Sequence, residues 1–400
     1  MRDQVAAALN QHVECFYPRT VDSERGGFHQ TFRRNWSQVQ DQGKFVVFQA
    51  RMTWFAANVA LFQPERAPEL IPIIRHGVHA LENLFLDQEN GGFKWMVDFD
   101  GIPVGASKTE KHLYGHAFAL YALSAAARAT GDAATLELAK NAFTWLNTAG
   151  WDHEYGGARE CTTASGEPIA TDNYQGRERD LLGSKFGGKA QNTQLHILEA
   201  LTELVKVWPD PAAIARLLEM VEIGTKTMRA ERGFLHVFFN RDWSPASNFV
   251  SAGHDIEAAF LLLDAAKTLT AAGVPTDVTT DAIELLDLAL EFGWDKKNGG
   301  LYDAVSPDGV PFYTDKIWWI QAESFGALAL GHSLTGNYAE KLQKQWDFIQ
   351  NSVIDHQFGG WFQSVSDDGA EIRHDDKANS WKAAYHDGRA LMTALNVLPS

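Results

Sequence analysis

Asp295-Lys296-Lys297-Asn298-Gly299-Gly300-Leu301 is one copy of a pattern that returns along almost the whole chain. Asp, three residues and then Gly-Gly recur at Asp22 to Gly27, Asp87 to Gly92, Asp152 to Gly157 and Asp355 to Gly360, usually with an apolar residue next. Arg232-Gly233-Phe234 is a worn copy that lacks the Asp. From the second Gly of each copy, and Gly233 in the worn one, the spacings are 65, 65, 76, 67 and 60 residues. A period of this length predicts stacked supersecondary units. The Asp can cap its own turn and a glycine pair admits positive φ, so each copy reads as a tight turn leading into a short extended segment.

Between the turns, residues 45–62, 113–130, 192–208, 254–269, 318–334 and 384–397 are apolar at three-to-four spacing, the mark of helices. A second helical pattern fits most intervals, at 68–85, 133–148, 211–228 and 277–292. Residues 1–21 read as a first amphipathic helix running into the first turn. Six turns and about twelve helices predict an all-α fold, an (α/α)6 barrel of six helical hairpins with short β-hairpin or turn segments at the glycine pairs. An open helical solenoid is the alternative. Closure is favoured because the candidate inner helices carry aromatic, His and Glu residues where a solenoid would show Leu and Ala.

A continuous repeat over 400 residues argues for a single catalytic domain, 1–400, with one irregular insertion at about 162–189. That stretch holds five glycines and the cluster Arg177-Glu178-Arg179-Asp180, which is the chemistry of a lid, a binding loop or an assembly contact. Its Gly183-Ser184-Lys185-Phe186-Gly187-Gly188-Lys189 resembles a phosphate loop only superficially, because the spacing is wrong. A formal charge of −16 argues against nucleic acid and anionic membranes as partners. Cys15 and Cys161 lie far apart with no metal spacing, so free thiols are expected, and the first residues have no apolar signal core. The expectation is a cytoplasmic monomer or weak homodimer. Thirteen Trp and 24 Phe offer faces for stacking on sugar rings as well as core.

Candidate site residues follow from the repeat. Arg51, between Phe48 and Trp54-Phe55, needs an acceptor if buried, either a structural ion pair or a substrate oxygen. His112 and His116 are four apart and could hold a metal, but the Glu of a metalloprotease helix is missing between them. Tyr114 or His116 lining a cavity is the preferred reading, and no metal or cofactor is expected. From the second Gly of each turn, Arg51 and His116 both lie 24 residues on, His254 21, Glu323 23 and His386 26, with His196 delayed to 39 by the insertion. Equal offsets place these groups at one level, where six polar side chains converging are hard to explain as core. His254 and Glu257 are three apart, as are His386 and Arg389, while Asn192 with His196 and Trp319 with Glu323 are four apart. A carboxylate beside each histidine would orient it and raise its basicity.

With Phe16-Tyr17-Pro18-Arg19, Gln49-Ala50-Arg51, Leu113-Tyr114-Gly115, Asn192-Thr193, Leu195-His196, Gly253-His254-Asp255-Ile256-Glu257, Trp318-Trp319, Gln321-Ala322-Glu323, Trp381-Lys382 and Tyr385-His386 with Arg389, the sequence resembles the N-acylglucosamine 2-epimerase superfamily over nearly its whole length. The likeness is closest to cellobiose 2-epimerases and mannose 2-epimerases. It implies cofactor-independent inversion at C2 of a reducing mono- or disaccharide through a cis-enediolate. His254 and His386 are then the acid/base pair, with Arg51 and His196 near the C1 and C2 oxygens. Glu257 supports His254, Glu323 adds to the polar site, and Asn192, Tyr114 and Arg389 orient sugar and bases. Trp318, Trp319 and Trp381 complete the sugar-binding set. Gln194 stands where members with disaccharide activity carry His, which favours a monosaccharide such as mannose or glucose at least equally. Rival readings are an aldose–ketose isomerase, a glycoside hydrolase using Glu257 and Glu323, and a non-catalytic binding module.

Overall fold

The glycine pairs hold backbone that other residues would strain to adopt. In the computed structural model, which describes residues 1–399, Gly299 and Gly300 sit at φ 83° and 79°. Asp295 closes that turn: its Oδ1 accepts the N–H of Lys297 at 2.9 Å and of Asn298 at 3.1 Å. Its own backbone N–H reaches Gly300 O at 3.0 Å.

A buried lysine fastens each Asp turn. Lys44 reaches Asp22 at 2.9 Å, Lys111 reaches Asp87 at 2.6 Å, Lys189 reaches Asp152 at 3.0 Å, Lys316 reaches Asp295 at 2.7 Å and Lys377 reaches Asp355 at 2.8 Å. The first four lysines stand two residues ahead of a long helix. In the worn copy those two positions are Met228 and Val250, both buried. The charge pair has been lost as a pair, which leaves no unpartnered ion inside.

The long, buried helices are α2 (Val46–Phe62), α4 (Leu113–Thr130), α6 (Gln191–Val207), α8 (Ala252–Ala271), α10 (Trp318–Thr335) and α12 (His386–Val397). The others are α1 (Arg2–Phe16), α3 (Ala67–Ala80), α5 (Ala133–Trp145), α7 (Pro211–Glu222), α9 (Thr279–Gly293) and α11 (Ala339–Phe348). The fold is mostly helical, with two- and three-residue antiparallel strands between, such as Lys44–Phe45 against Met96–Val97. Each long helix packs on the next from α2 to α12, α12 also touches α2, and α1 packs on α12. One apolar core runs through all of them, from Val5 to Leu395.

The predicted helices match closely, with three differences. α1 stops at Phe16 because Pro18 forces Tyr17 into an extended conformation (φ −112°, ψ 138°). The patterns 68–85, 133–148 and 211–228 are each a helix, α3, α5 and α7, followed by a wider turn, at Leu81–Phe85, Leu146–Gly150 and Ile223–Thr227. α11 escaped notice because only Leu342, Trp346 and Phe348 mark its apolar face. Residues 164–188 form no helix, as expected of the insertion, and they are tied down. Arg177 pairs with Glu110, the Tyr174 hydroxyl donates to Thr109 O at 2.9 Å, and Asp180 lies 3.4 Å from His112. Both cysteines are free and buried. Among the described residues no helix is long and apolar enough to cross a membrane.

Candidate active site

The first two turns of the long helices set the register of the site. Counted from the first residue of its helix, each of Arg51, His196, Glu257 and Glu323 is sixth, and Phe118 holds that place in α4. Tyr114, Asn192 and Trp319 are second, and His254 is third. The fourth residue faces the opposite way, toward the glycine turn. There Gln49, Gln194 and Gln321 each bond the N–H and the C=O of the residue after the glycine pair, namely Phe28, Ala158 and Leu301.

This register corrects two expectations. His116 is a fourth residue and lies outside the site. Its Nε2 bonds Ala142 O at 2.9 Å, its ring packs on Phe93 and Trp145, and burial lowers its pKa to about 4. Arg51 and His116 share an offset from their turns, but the linkers ahead of α2 and α4 differ by two residues, which is about 200° around a helix. Gln194 belongs to the same outward set, so it does not report on the sugar.

Arg389 is the hub of the buried network. It pairs with Glu199, with Glu257 at 2.5 Å and with Glu323 at 2.7 Å. Glu199 also accepts the Tyr385 hydroxyl at 2.5 Å and meets His196 Nδ1 at 3.1 Å. Burial opposes the charge on Glu199, yet Arg389, His196 and Tyr385 hold its pKa down to about 2. Glu323 lies 2.6 Å from His386 Nδ1. Burial, reinforced by Glu257, pushes Glu323 up to about 8 against the pull of Arg389. Burial and then the Arg51 and Arg389 cations push His386 well below its ordinary value. Glu257, expected beside His254, instead serves Arg389 and lies 3.9 Å from His386.

His254 has a different support. Its Nδ1 is 2.7 Å from Ser251 Oγ, and that oxygen is 2.8 Å from Asp303 Oδ1. Burial lowers its pKa. The Trp319 ring lies beside both catalytic candidates, 5.0 Å from His254 and 5.5 Å from His386. Nε2 of each histidine makes no hydrogen bond within the protein and is not enclosed.

Arg51 lies close to His386. Its guanidinium donates to Trp381 O at 2.7 Å and to the Tyr114 hydroxyl at 3.0 Å, and it lies 4.4 Å from the Phe118 ring. It is 3% exposed and, among the described residues, belongs to no ion pair. A buried cation without a counter-charge is costly unless a ligand supplies one. Trp381 is 41% exposed, against Phe45 and Tyr114. Trp318 is buried 6.3 Å from His386, and Asn192 keeps an enclosed, unbonded Oδ1.

Two clusters could be read as metal cradles, since one ligand atom from each member lies within 4.8 Å of the others. In Glu257, Glu323 and His386 the Arg389 guanidinium already supplies the cation. In His112, Glu160 and Asp180, His112 Nδ1 accepts the Tyr114 N–H, so Nε2 carries the hydrogen and has no lone pair to offer. His112 and His116 do not share a site.

Reasoning from the sequence gave no role to Glu199, Ser251 and Asp303, and named Tyr385 only as the neighbour of His386. Glu199 was within reach, since it stands three after His196 as Glu257 stands three after His254. Asp303 comes from the following repeat, three residues past its glycine pair, and nothing local to His254 points to it.

Paired histidines, buried carboxylates and an uncompensated guanidinium define an acid–base enzyme. Residues 26–390 match the family described as N-acylglucosamine 2-epimerase (GlcNAc 2-epimerase). The cellobiose 2-epimerase of Bacteroides fragilis is 31% identical over 390 residues, 94% of each chain. The D-mannose isomerase of Marinomonas mediterranea is 26% identical, covering 98% of this chain and 97% of its own. The solved structure of cellobiose 2-epimerase from Spirochaeta thermophila superposes with a TM-score of 0.87 at 28% identity, over 99% of this chain and 96% of that one. The protein is thus of the carbohydrate epimerase and isomerase class. It belongs to the N-acylglucosamine 2-epimerase family.

Proposed function

We propose that the protein is a sugar 2-epimerase that inverts C2 at the reducing-end glucose of a β-1,4 disaccharide such as cellobiose, with mannose and glucose as smaller substrates of the same site. The observation that carries this reading is the pair of unbonded Nε2 atoms of His254 and His386, both beside Trp319, with the unpaired Arg51 close to His386. After ring opening, His254 Nε2 takes the C2 proton. The C–H electrons form the C1=C2 bond, and the carbonyl electrons move onto O1. Arg51 donors, with His196, hold that oxygen, because a proton α to a carbonyl is too weakly acidic to leave without them. The enediolate turns about C2–C3, and His386 Nε2 returns a proton to the other face. Its Nδ1 is resupplied by Glu323, which carries a proton near neutral pH. Glu257, Glu199, Tyr385 and Arg389 hold His386, Glu323 and His196 in place, while Tyr114 and Asn192 orient the sugar. Trp318 and Trp319 wall the pocket, and the exposed Trp381 offers a second sugar ring a stacking face.

Residues 1–400 are read as one (α/α)6 barrel, and the contact of α12 with α2 supports its closure. The buried free thiols Cys15 and Cys161 support a reducing, cytoplasmic setting, and the protein is read as a monomer or weak homodimer. Epimerase is preferred to aldose–ketose isomerase because the relative named for epimerisation is the more similar of those compared, 31% against 26%. Proton NMR with cellobiose, mannose and glucose in deuterated water tests the proposal. Loss of the C2 proton signal with a new C2 epimer is the expected result. Fructose or another ketose as the product would make it an isomerase, and no exchange with any of the three would refute it.

A further inference from the structure

The two catalytic candidates are supported unequally. His386 Nδ1 meets Glu323 directly, whereas His254 reaches Asp303 only through a serine. The serine hydroxyl has a single hydrogen and three neighbours. One is the backbone N–H of His254, 3.3 Å away, which can only donate, because Ser251 also caps α8. Another is the Asp303 carboxylate at 2.8 Å, which can only accept. The hydroxyl hydrogen is therefore committed to Asp303. The third neighbour, His254 Nδ1 at 2.7 Å, is left facing lone pairs and must itself donate.

We infer that Ser251 and Asp303 are positioning residues that hold His254 with its hydrogen on Nδ1, so that Nε2 presents a lone pair to the substrate. Gly253 makes room for the arrangement. A Cβ there would come within 3.0 Å of Asp303 Oδ1 and 2.8 Å of the Trp319 ring. The charged and titratable groups that act on His254 are Asp303, Glu257 and His196, and the first two favour its protonated form. Asp303 therefore stabilises the imidazolium that forms once Nε2 has taken a proton, without receiving that proton itself. The inference rests on the epimerase reading for its catalytic consequence, but the tautomer does not depend on it.

The test uses protein labelled with nitrogen-15 at histidine, with the His254 signals assigned by difference against His254→Asn. The resting enzyme at neutral pH is expected to show hydrogen on Nδ1 and a bare Nε2. Ser251→Ala should lose that preference and lower kcat about 10- to 100-fold with KM within twofold, the loss of one hydrogen bond to a group that becomes charged. Ser251→Gly removes the hydroxyl at little cost to the helix end, so it carries the same test if the alanine variant folds poorly. Ser251→Thr should recover most of the rate. Asp303→Asn should move the acid limb of the pH–rate profile to lower pH, since it removes a charge that raises His254. Hydrogen on Nε2 in the wild type, or an unchanged kcat in folded Ser251→Gly, would overturn the inference. Absence of sugar turnover with the Nδ1 tautomer in place would refute the epimerase reading and leave the positioning intact.

Discussion

The worn repeat supplies a control for the charge pairs in the others, and Asp22 with Lys44 is the place to use it. Both are almost wholly buried, at 2% and 1% exposure, and 2.9 Å apart. At an effective dielectric near 20 their attraction is about 6 kcal/mol, most of it offset by the cost of desolvating two ions. Burial works against both charges. With Lys44 and the Arg25 N–H as partners, Asp22 is still held below its usual value, whereas for Lys44 burial outweighs Asp22 and its pKa falls. Lys44→Val leaves Asp22 with the N–H groups of Glu24 at 3.2 Å and Arg25 at 3.0 Å, so the loss should sit at the low end for a broken buried pair, about 3 kcal/mol. Asp22→Met leaves Lys44 with the Phe28 carbonyl at 3.3 Å as its one hydrogen-bond acceptor, and about 4 kcal/mol is expected. The double variant reproduces Met228 with Val250 and should cost less than either single change, about 1–2 kcal/mol. Urea denaturation followed by tryptophan fluorescence and far-ultraviolet circular dichroism measures all four proteins. A double variant as damaged as the sum of the singles, or single losses below about 1 kcal/mol, would refute the reasoning.

His386→Asn should keep the fold and lower kcat about 10²- to 10⁴-fold, read as C2 proton exchange in deuterated water; retained turnover would remove His386 from the chemistry. His116→Phe should leave kcat within twofold, because the ring faces Ala142 and Trp145 rather than the sugar; a large loss would return His116 to the site. Asp87 is only partly buried, and Lys111 with the Asn90 N–H outweighs that burial and holds its pKa at about 2. A depressed carboxylate gives stability that is fully present above its unfolded value and lost as pH falls toward 2. Asp87→Asn should therefore flatten the acid limb of a stability–pH curve between about pH 4 and 2, and an unchanged limb would count against the pair.

What the sequence disclosed and what it hid have the same physical origin. The repeat made the turns, the helices and the level of Arg51, His196, Glu257 and Glu323 legible, because a repeated backbone puts equivalent positions at equivalent heights. It could not fix the rotation of each helix, since that depends on linker length, and a count begun at the glycines turned His116 inward when it faces out. Nor could it name the partners. Spacing along α8 suggested Glu257 for His254, but side chains three apart on a helix also have neighbours on other helices, and Arg389 of α12 takes Glu257 while Asp303 arrives from the next turn.

The site lies at the N-terminal ends of helices, where unpaired N–H groups and helix dipoles favour negative charge. That setting suits an enediolate but would also favour Glu199, Glu257 and Glu323 as three charges together. Two features relieve the crowding: Arg389 touches all three, and Glu323 keeps a proton near neutral pH. Arg389 offsets the glutamates it touches, and Arg51, in no ion pair among the described residues, is left to meet the charge that develops on the sugar. Moving the C2 proton to His254 then creates one cation and one anion within a pocket that gains no net charge. The proton held between Glu323 and His386 is the one to be returned. On this account the three glutamates serve less to bind sugar than to keep one movable proton opposite a base that has none.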